Sequence, residues 1–355
     1  MSRLQLLLEV VLFILSVVVL PLGTLFVLEP CYRYMINSKV DKGLQEDTYM
    51  VRNSVCKGDC RVFELREKPA VDLSIVIPAF NEEQRLSVML DATLFYMKEY
   101  TTKSRMSYEI LVVDDCSTDG TATVVQQYTS SEIDAAEATC GEGEECENSS
   151  SHGSYSDIRL LKLARNHGKG GAVRRGVLFS RGSYVLMADA DGATEIRDFE
   201  KVFTALQQVE TKVDKFKGTV AASFGSRAHL EEESIAKRTL VRTILMRGFH
   251  AFVSILITDA IKDTQCGFKL FTRSAAKFLF ANLHLEGWAF DIELIHLAQS
   301  HGIPLSEVAV RWTEIEGSKL IQSKLDLVKA SVFMARDILC VRLSYLIGIW
   351  TAVEV

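Results

Sequence analysis

The chain has 355 residues, 48% hydrophobic and 24% charged, with a formal net charge of −6. This length and apolar content exclude a small disulfide-stapled module and a disordered chain, and they suit one catalytic-size domain with appendages. The acidity is local: Glu132, Asp134, Glu137, Glu142, Glu144, Glu145, Glu147 and Asp157 fall in residues 129–157 with no Lys or Arg among them, so the rest is mildly basic and suits an anionic partner.

In chain order, the first element is an almost wholly apolar run from Leu4 to Leu28, with Glu9 and Pro21 its main interruptions. About 20 apolar residues in a helix cross a bilayer core of about 30 Å, so residues 1–30 read as a transmembrane anchor. A cleaved leader would show an apolar core of about 7–15 residues and a small-residue cleavage site, and neither is evident. Arg3 precedes the run, whereas Arg33, Lys39, Lys42 and Arg52 follow it, which predicts a cytosolic catalytic domain. The eight cysteines are scattered without zinc-site spacing, as expected for free thiols in a reducing compartment.

A polar juxtamembrane stretch, 31–70, leads into short apolar runs alternating with amphipathic segments. Leu73–Ile77, Ile110–Val113, Ile158–Leu163, Tyr184–Met187 and Val220–Phe224 read as strands. Leu86, Leu90, Leu94 and Met97 mark one face of a helix after the first. The order predicts an α/β domain over 71–320 with a mostly parallel sheet, whose ligands sit at the carboxyl ends of the strands. The acidic 129–157 stretch lacks core-forming residues and reads as a disordered surface insertion. Residues 239–258 and the C-terminal 321–355 are apolar with interspersed Arg and Lys, suited to helices lying in a membrane interface or packing on the domain.

Polar residues cluster just past the strand ends. Pro78, Asn81 and Glu82 follow the first strand, and Asp114 and Asp115 the second, where carboxylates can accept from a base N–H or a ribose hydroxyl. Capping of the next helix by Ser117 or Asp119 is the plainer alternative for that turn. Glycines beside Lys169 open a helix and suit phosphate oxygens, although the Walker spacing is absent. After the fourth strand, Asp189 and Asp191 alternate to the same side of an extended segment. Two such carboxylates repel unless a cation intervenes, so they are the candidate ligands of a divalent metal.

These motifs resemble the inverting GT-A glycosyltransferases, and among them the dolichyl-phosphate glucosyltransferases. The resemblance runs from Leu73 to Trp350 outside the acidic stretch. It rests on VIPAFNEE (76–83), VVDDCSTDGT (112–121), NHGKGGAVRRG (166–176), MADADGAT (187–194), GSRAHLEEESIAKR (225–238), DTQCGFKLF (263–271), WAFDIELI (288–295) and VRWTEIEGSKL (310–320). The first four also occur in relatives such as dolichyl-phosphate mannose synthase, so the choice of sugar rests on the later ones.

The resemblance implies a Rossmann-like GT-A fold and inverting transfer of glucose from UDP-glucose to dolichyl phosphate. The product would serve protein N-glycosylation, on the cytosolic face of the endoplasmic reticulum membrane. It implies that Pro78, Asn81, Glu82, Asp114 and Asp115 hold the uridine, with Lys169 near the diphosphate. Asp189 and Asp191 would bind Mg2+ or Mn2+, and Arg227 with Lys237 or Arg238 would receive the lipid phosphate. Gln265 and Trp288 would wall the sugar and acceptor site. Asp291 either orients a catalytic group or begins a helix; Trp288 and Phe290 are core or sugar platform. Cys116 stands where many relatives have glycine. GDP-mannose as donor, or a non-catalytic nucleotide-sugar-binding scaffold, is the alternative; nucleic acid is not an expected partner, and oligomeric state is not legible.

Overall fold

The computed structural model describes residues 20–44, 50–53, 56–59, 65, 68–129, 156–229, 248, 253–254, 256–257, 260–315 and 324–354. Its centre is a nine-stranded sheet in the order β11-β9-β10-β6-β3-β4-β5-β1-β2. Strands β3 (Val71–Ala79), β4 (Tyr108–Asp114), β5 (Ser156–Lys162) and β6 (Gly182–Met187) run parallel. Every residue of β4 is buried, the mark of a strand covered on both faces. Alternation divides the core: Ile75 and Ile77 of β3 pack with Leu90, Val112 and Phe199 on one face, while Val76 packs with Val113, Val173 and Leu279 on the other.

The helices that cover these faces are α1 (Leu20–Leu44), α2 (Leu86–Ser104), α3 (121–129), α4 (Gly168–Leu178), α5 (Phe199–Val209), α6 (Arg273–Ala281), α7 (Phe290–Ser300) and α8 (Lys324–Leu346). The predicted face of α2 is buried through Leu86, Leu90 and Met97. Helices α1 and α8 pack together, with Arg336 of α8 bonded to Glu29 of α1 at 2.9 Å.

At the amino ends of the strands lies a buried ion network. Glu109 meets Arg159 at 2.9 Å and Arg181 at 2.7 Å, accepts from Ser74 Oγ, and Arg181 also grips Asp157. Burial alone would raise the Glu109 carboxyl, but the two guanidiniums outweigh it and hold the group below its usual range.

Several expectations change. The fifth predicted strand is two: β8 (Gly218–Val220) pairs with β7 (Thr211–Val213), and β9 (Ala222–Ser226) joins the main sheet. Strand β9 is reached through β10 (Lys269–Thr272), antiparallel to both β6 and β9. β11 (Leu305–Ala309) closes that edge parallel to β9. The 31–70 stretch carries the rest of α1 and a hairpin, β1 (Met50–Asn53) and β2 (Cys56–Asp59), which extends the sheet antiparallel to β5. Asp157 belongs to β5 and is fully buried, so the acidic stretch proper is shorter than 129–157; its residues 130–155 lie outside the described part.

Residues 1–19, which carry most of the predicted anchor, also lie outside it. Among the described residues no helix is long and apolar enough to cross a membrane. Of 239–258 only Gly248, Val253, Ser254, Leu256 and Ile257 are described, and Val253 is buried against Ile292 of α7 and Ile338 of α8. Cys31, Cys116, Cys266 and Cys340 are free thiols.

Candidate active site

The carboxyl ends of β3, β4 and β6 open into a cleft of about 440 Å³. Pro78 and Glu82 past β3, Asp115 past β4 and Lys169 in the first turn of α4 line it. Asp189 and Asp191 past β6, and Trp288 before α7, complete it, so seven of the predicted site residues meet in one place.

Asp189 keeps 34% of its side chain open and lies 2.6 Å from Lys169 Nζ. Burial opposes its ionisation, but Lys169, Lys269 and Arg227 hold it below the usual carboxylate range. Burial likewise opposes the Lys169 charge, and Asp189, Asp291 and Asp191 raise its pKa above the ordinary lysine value. The Lys169 ammonium also stands 5.1 Å from the centroid of the Trp288 ring, which is 45% exposed, while Phe290 is fully buried. Of that pair, tryptophan is therefore the wall and phenylalanine the core. Asp191 Oδ1 accepts from Ala193 N at 3.0 Å.

Gly267 marks how closely the segment leading into β10 approaches. A Cβ added there would stand 1.9 Å from Asp189 Oδ2, so a side chain at this position displaces the carboxylate or the segment.

The uridine-side residues are engaged with the protein itself. Asp115 accepts from His167 N at 2.7 Å and from Gly168 N at 2.8 Å, clamping the start of α4; burial pushes its carboxyl above the usual range despite these bonds. Asp114, fully buried and outside the cleft, accepts from Ser117 N. Asn81 sits at φ 56° and accepts from Thr118 N at 2.8 Å, so its role in the structure is to pin the β4–α3 turn. Asp119 accepts from Thr121 N at 3.0 Å, the helix-start bond anticipated as the plainer reading of this turn. Glu82 forms a fork with Arg85 at 2.6 and 2.7 Å. Cys116 has φ 62°, a left-handed conformation that glycine adopts without cost.

Asp291, 3% exposed in the first turn of α7, lies 2.7 Å from the Nζ of fully buried Lys269. Burial raises the Asp291 pKa, against the two lysines. Lys269 and Arg85 escaped the sequence reading. Arg85 had a local signal, three residues after Glu82, whereas Lys269 had none, because its partner is on a distant helix.

Arg227, past β9, gives the Nε–Nη2 edge of its guanidinium to Asp263, at 2.7 and 2.9 Å, and lies 5.5 Å from the Trp312 ring centroid. Burial opposes its charge and Asp263 raises its pKa further above the arginine value. Gln265 turns away from the cleft, with Nε2 against Met334 Sδ of α8 at 3.8 Å. Lys237 and Arg238 lie outside the described residues.

The donor set of Asp189 and Asp191 suits a hard divalent ion that keeps most of its positions for water and phosphate oxygen. Among the described residues no group of three or more His, Cys, Asp or Glu could hold a metal.

The family model "Glycosyl transferase family 2" matches residues 74–280. Dolichyl-phosphate beta-glucosyltransferase of Dictyostelium discoideum is 46% identical over 78% of this chain and 76% of its own length. The protein of that name from Homo sapiens is 44% identical over 80% and 79%. A crystal structure of glucosyl-3-phosphoglycerate synthase from Mycobacterium tuberculosis in complex with UDP aligns with 78% of this chain and 80% of its own, at 16% identity and a TM-score of 0.45. A parallel sheet with its polar residues gathered at the strand ends, a family model covering more than half the chain, and close relatives along four-fifths of it agree: the chain belongs to glycosyl transferase family 2, is a glycosyltransferase of GT-A fold, and groups with the dolichyl-phosphate beta-glucosyltransferases.

Proposed function

We propose that this enzyme transfers glucose from UDP-glucose to dolichyl phosphate with inversion, giving dolichyl β-D-glucosyl phosphate and UDP. The observation that carries this reading is the single cleft that joins Asp189, Asp191, Lys169 and Trp288 to the ends of β3 and β4, in a chain 39–46% identical to relatives bearing that name. A cleft of about 440 Å³ is of the size that takes a small-molecule donor.

The acceptor is a phosphate monoester with a second pKa near 6, so at neutral pH it is largely a dianion and already nucleophilic. No general base is required of the protein. Asp189 and Asp191 would hold Mg2+ or Mn2+, which as a Lewis acid offsets charge on the departing diphosphate. Lys169 brings a fixed cation to the same place, and its contact with Asp189 keeps it aimed there before substrate arrives. Trp288 offers a broad apolar face to the sugar. Asp291, anchored by Lys269, acts by orienting groups around the sugar rather than as a base. Arg227, held flat by Asp263, receives the acceptor phosphate with its remaining N–H groups, aided by Lys237 or Arg238.

The apolar run before α1 and the exposed Leu22, Leu25, Phe26, Val332 and Phe333 on the paired α1 and α8 support attachment to a membrane. That attachment would be single-pass, at the endoplasmic reticulum, with the catalytic domain cytosolic, where a polyprenyl acceptor is presented. The deciding assay offers the purified protein a panel of radiolabelled nucleotide-sugars with dolichyl phosphate. Incorporation from UDP-glucose alone upholds the proposal; incorporation from GDP-mannose, or binding without turnover, sinks it.

A further inference from the structure

Outside the cleft, a second cavity of about 340 Å³ lies where α1 and α8 meet the loops that wall the first. Asn37 of α1 reaches into it, and its amide joins two loops at once. Its Nδ2 donates to Glu286 Oε2, and its Oδ1 accepts from Arg165 Nη1 at 3.3 Å.

Both loops shape the candidate donor site. Arg165 leads directly into Asn166, Gly168 and Lys169, which line the cleft. Glu286 lies two residues before Trp288 and is tied to the start of α4 by its backbone. Its carbonyl accepts from Gly171 N at 3.1 Å, and a Cβ on Gly168 would come within 2.8 Å of that oxygen. The Glu286 carboxylate faces His167 Nδ1 at 3.6 Å and Arg175 Nη1 at 3.8 Å, besides Asn37. Burial disfavours its charge, but His167, Asn37 and Arg175 together hold the carboxyl below its usual range. The amide of one residue on α1 thus completes the polar cage of a carboxylate that joins the lysine-bearing turn to the tryptophan wall. No motif in the sequence connects position 37 with either loop.

We infer that Asn37 is a positioning residue for the nucleotide-sugar: through Glu286 and Arg165 it sets the spacing of Lys169 and Trp288, so the placement of α1 tunes donor affinity. This rests on the donor occupying the cleft described above. Helix α1 has other attachments, the Arg336–Glu29 ion pair and the Cys31 thiol against Ser344 Oγ at 3.0 Å, so losing the Asn37 amide should not release the helix.

The test compares full-length wild type with Asn37→Ala and Asn37→Gln in lipid nanodiscs. It measures KM for UDP-glucose, KM for dolichyl phosphate, kcat, UDP affinity by calorimetry, and Tm. A hydrogen bond to a partly buried charged group is worth enough to weaken donor binding about tenfold in Asn37→Ala. The expected pattern is that rise in donor KM and in UDP Kd, with acceptor KM, kcat and Tm near wild type, and partial recovery in Asn37→Gln, which keeps an amide. Donor KM and UDP Kd within twofold of wild type would overturn the inference, as would a uniform loss of all parameters together with Tm. Wild type that binds no UDP, or whose UDP affinity is unchanged by Lys169→Met, would instead refute the placement of the donor itself.

Discussion

Gly267→Ala tests the site at its tightest point. The added Cβ would stand 1.9 Å from Asp189 Oδ2 and 2.2 Å from its Cγ, whereas real Cβ contacts do not fall below 3.0 Å. The carboxylate or the 263–269 segment must therefore retreat by roughly 1 Å, and a misplacement of that size costs about 10²-fold in rate, or about 2.7 kcal/mol in the barrier. Backbone strain adds nothing, since Gly267 is not among the residues at positive φ. The assay is kcat/KM with UDP-glucose and dolichyl phosphate, with Tm and circular dichroism to establish folding. A folded variant turning over within twofold of wild type would show that Asp189 does not work from the position seen here.

Asp191→Asn should lower transfer by about 10²-fold or more while leaving Tm unchanged, and EDTA should abolish wild-type activity until Mn2+ or Mg2+ is restored; activity indifferent to both would remove the metal assignment. Glu109, whose folded pKa is depressed, contributes stability that is complete above its unfolded value of 4.5 and is lost as pH falls through the lower folded value. Melts should therefore show Tm dropping below about pH 4.5, and Glu109→Gln, which breaks a buried pair at a cost of about 3–5 kcal/mol, should flatten that dependence while lowering Tm at pH 7. Replacing residues 131–154 by a short Gly/Ser linker should leave turnover near wild type, whereas Asp157→Ala, three residues beyond, should destabilise the protein by removing a buried partner of Arg181; a collapse of turnover in the first variant would make the acidic stretch part of the site.

What was legible in the sequence was local. Strands β3, β4 and β6 announce themselves as buried apolar runs, and the residues just past them are polar, so the sequence alone gathers Pro78, Glu82, Asp115, Lys169, Asp189 and Asp191 at one end of the sheet, where they line one cleft. What was not legible depends on partners far along the chain. Asp115 reads as a ligand for a base N–H or a ribose hydroxyl, yet its carboxylate accepts from two backbone amides, of 167 and 168, brought beside it by the parallel pairing of β4 and β5. Lys269 carries no local signal, and its meaning comes from Asp291 on α7. The resemblance implies Gln265 as a wall of the sugar and acceptor site, and its amide lies against Met334 of α8, whose position no local pattern fixes. β10 shows the same limit at the level of topology: four buried residues can pair parallel or antiparallel, and long-range packing decides.

Arg227 is where the sequence assignment and the observed geometry pull in different directions, and an experiment can separate them. Its guanidinium was assigned to the acceptor phosphate, but Asp263 engages both Nε and Nη2 and also accepts from the Arg227 backbone N–H at 2.8 Å. If Asp263 were a competitor, Asp263→Asn would free the fork and lower KM for dolichyl phosphate. If Asp263 is the brace that fixes the plane of the guanidinium, the same change lets the side chain swing, and acceptor KM rises. The brace is favoured because Asp263 is itself fixed: its backbone N–H donates to Glu307 Oε1 at 2.8 Å, and Glu307 lies on β11, parallel to the β9 strand that precedes Arg227. A carboxylate held by its own sheet edge is placed to orient an arginine, and one prepared geometry costs less on binding than a floppy fork. Asp263→Asn should therefore raise acceptor KM roughly tenfold, the scale of one charge-assisted hydrogen bond, with donor KM unchanged. An acceptor KM that falls would assign Asp263 to autoinhibition of the phosphate site, and one that does not move would take Arg227 out of acceptor binding altogether.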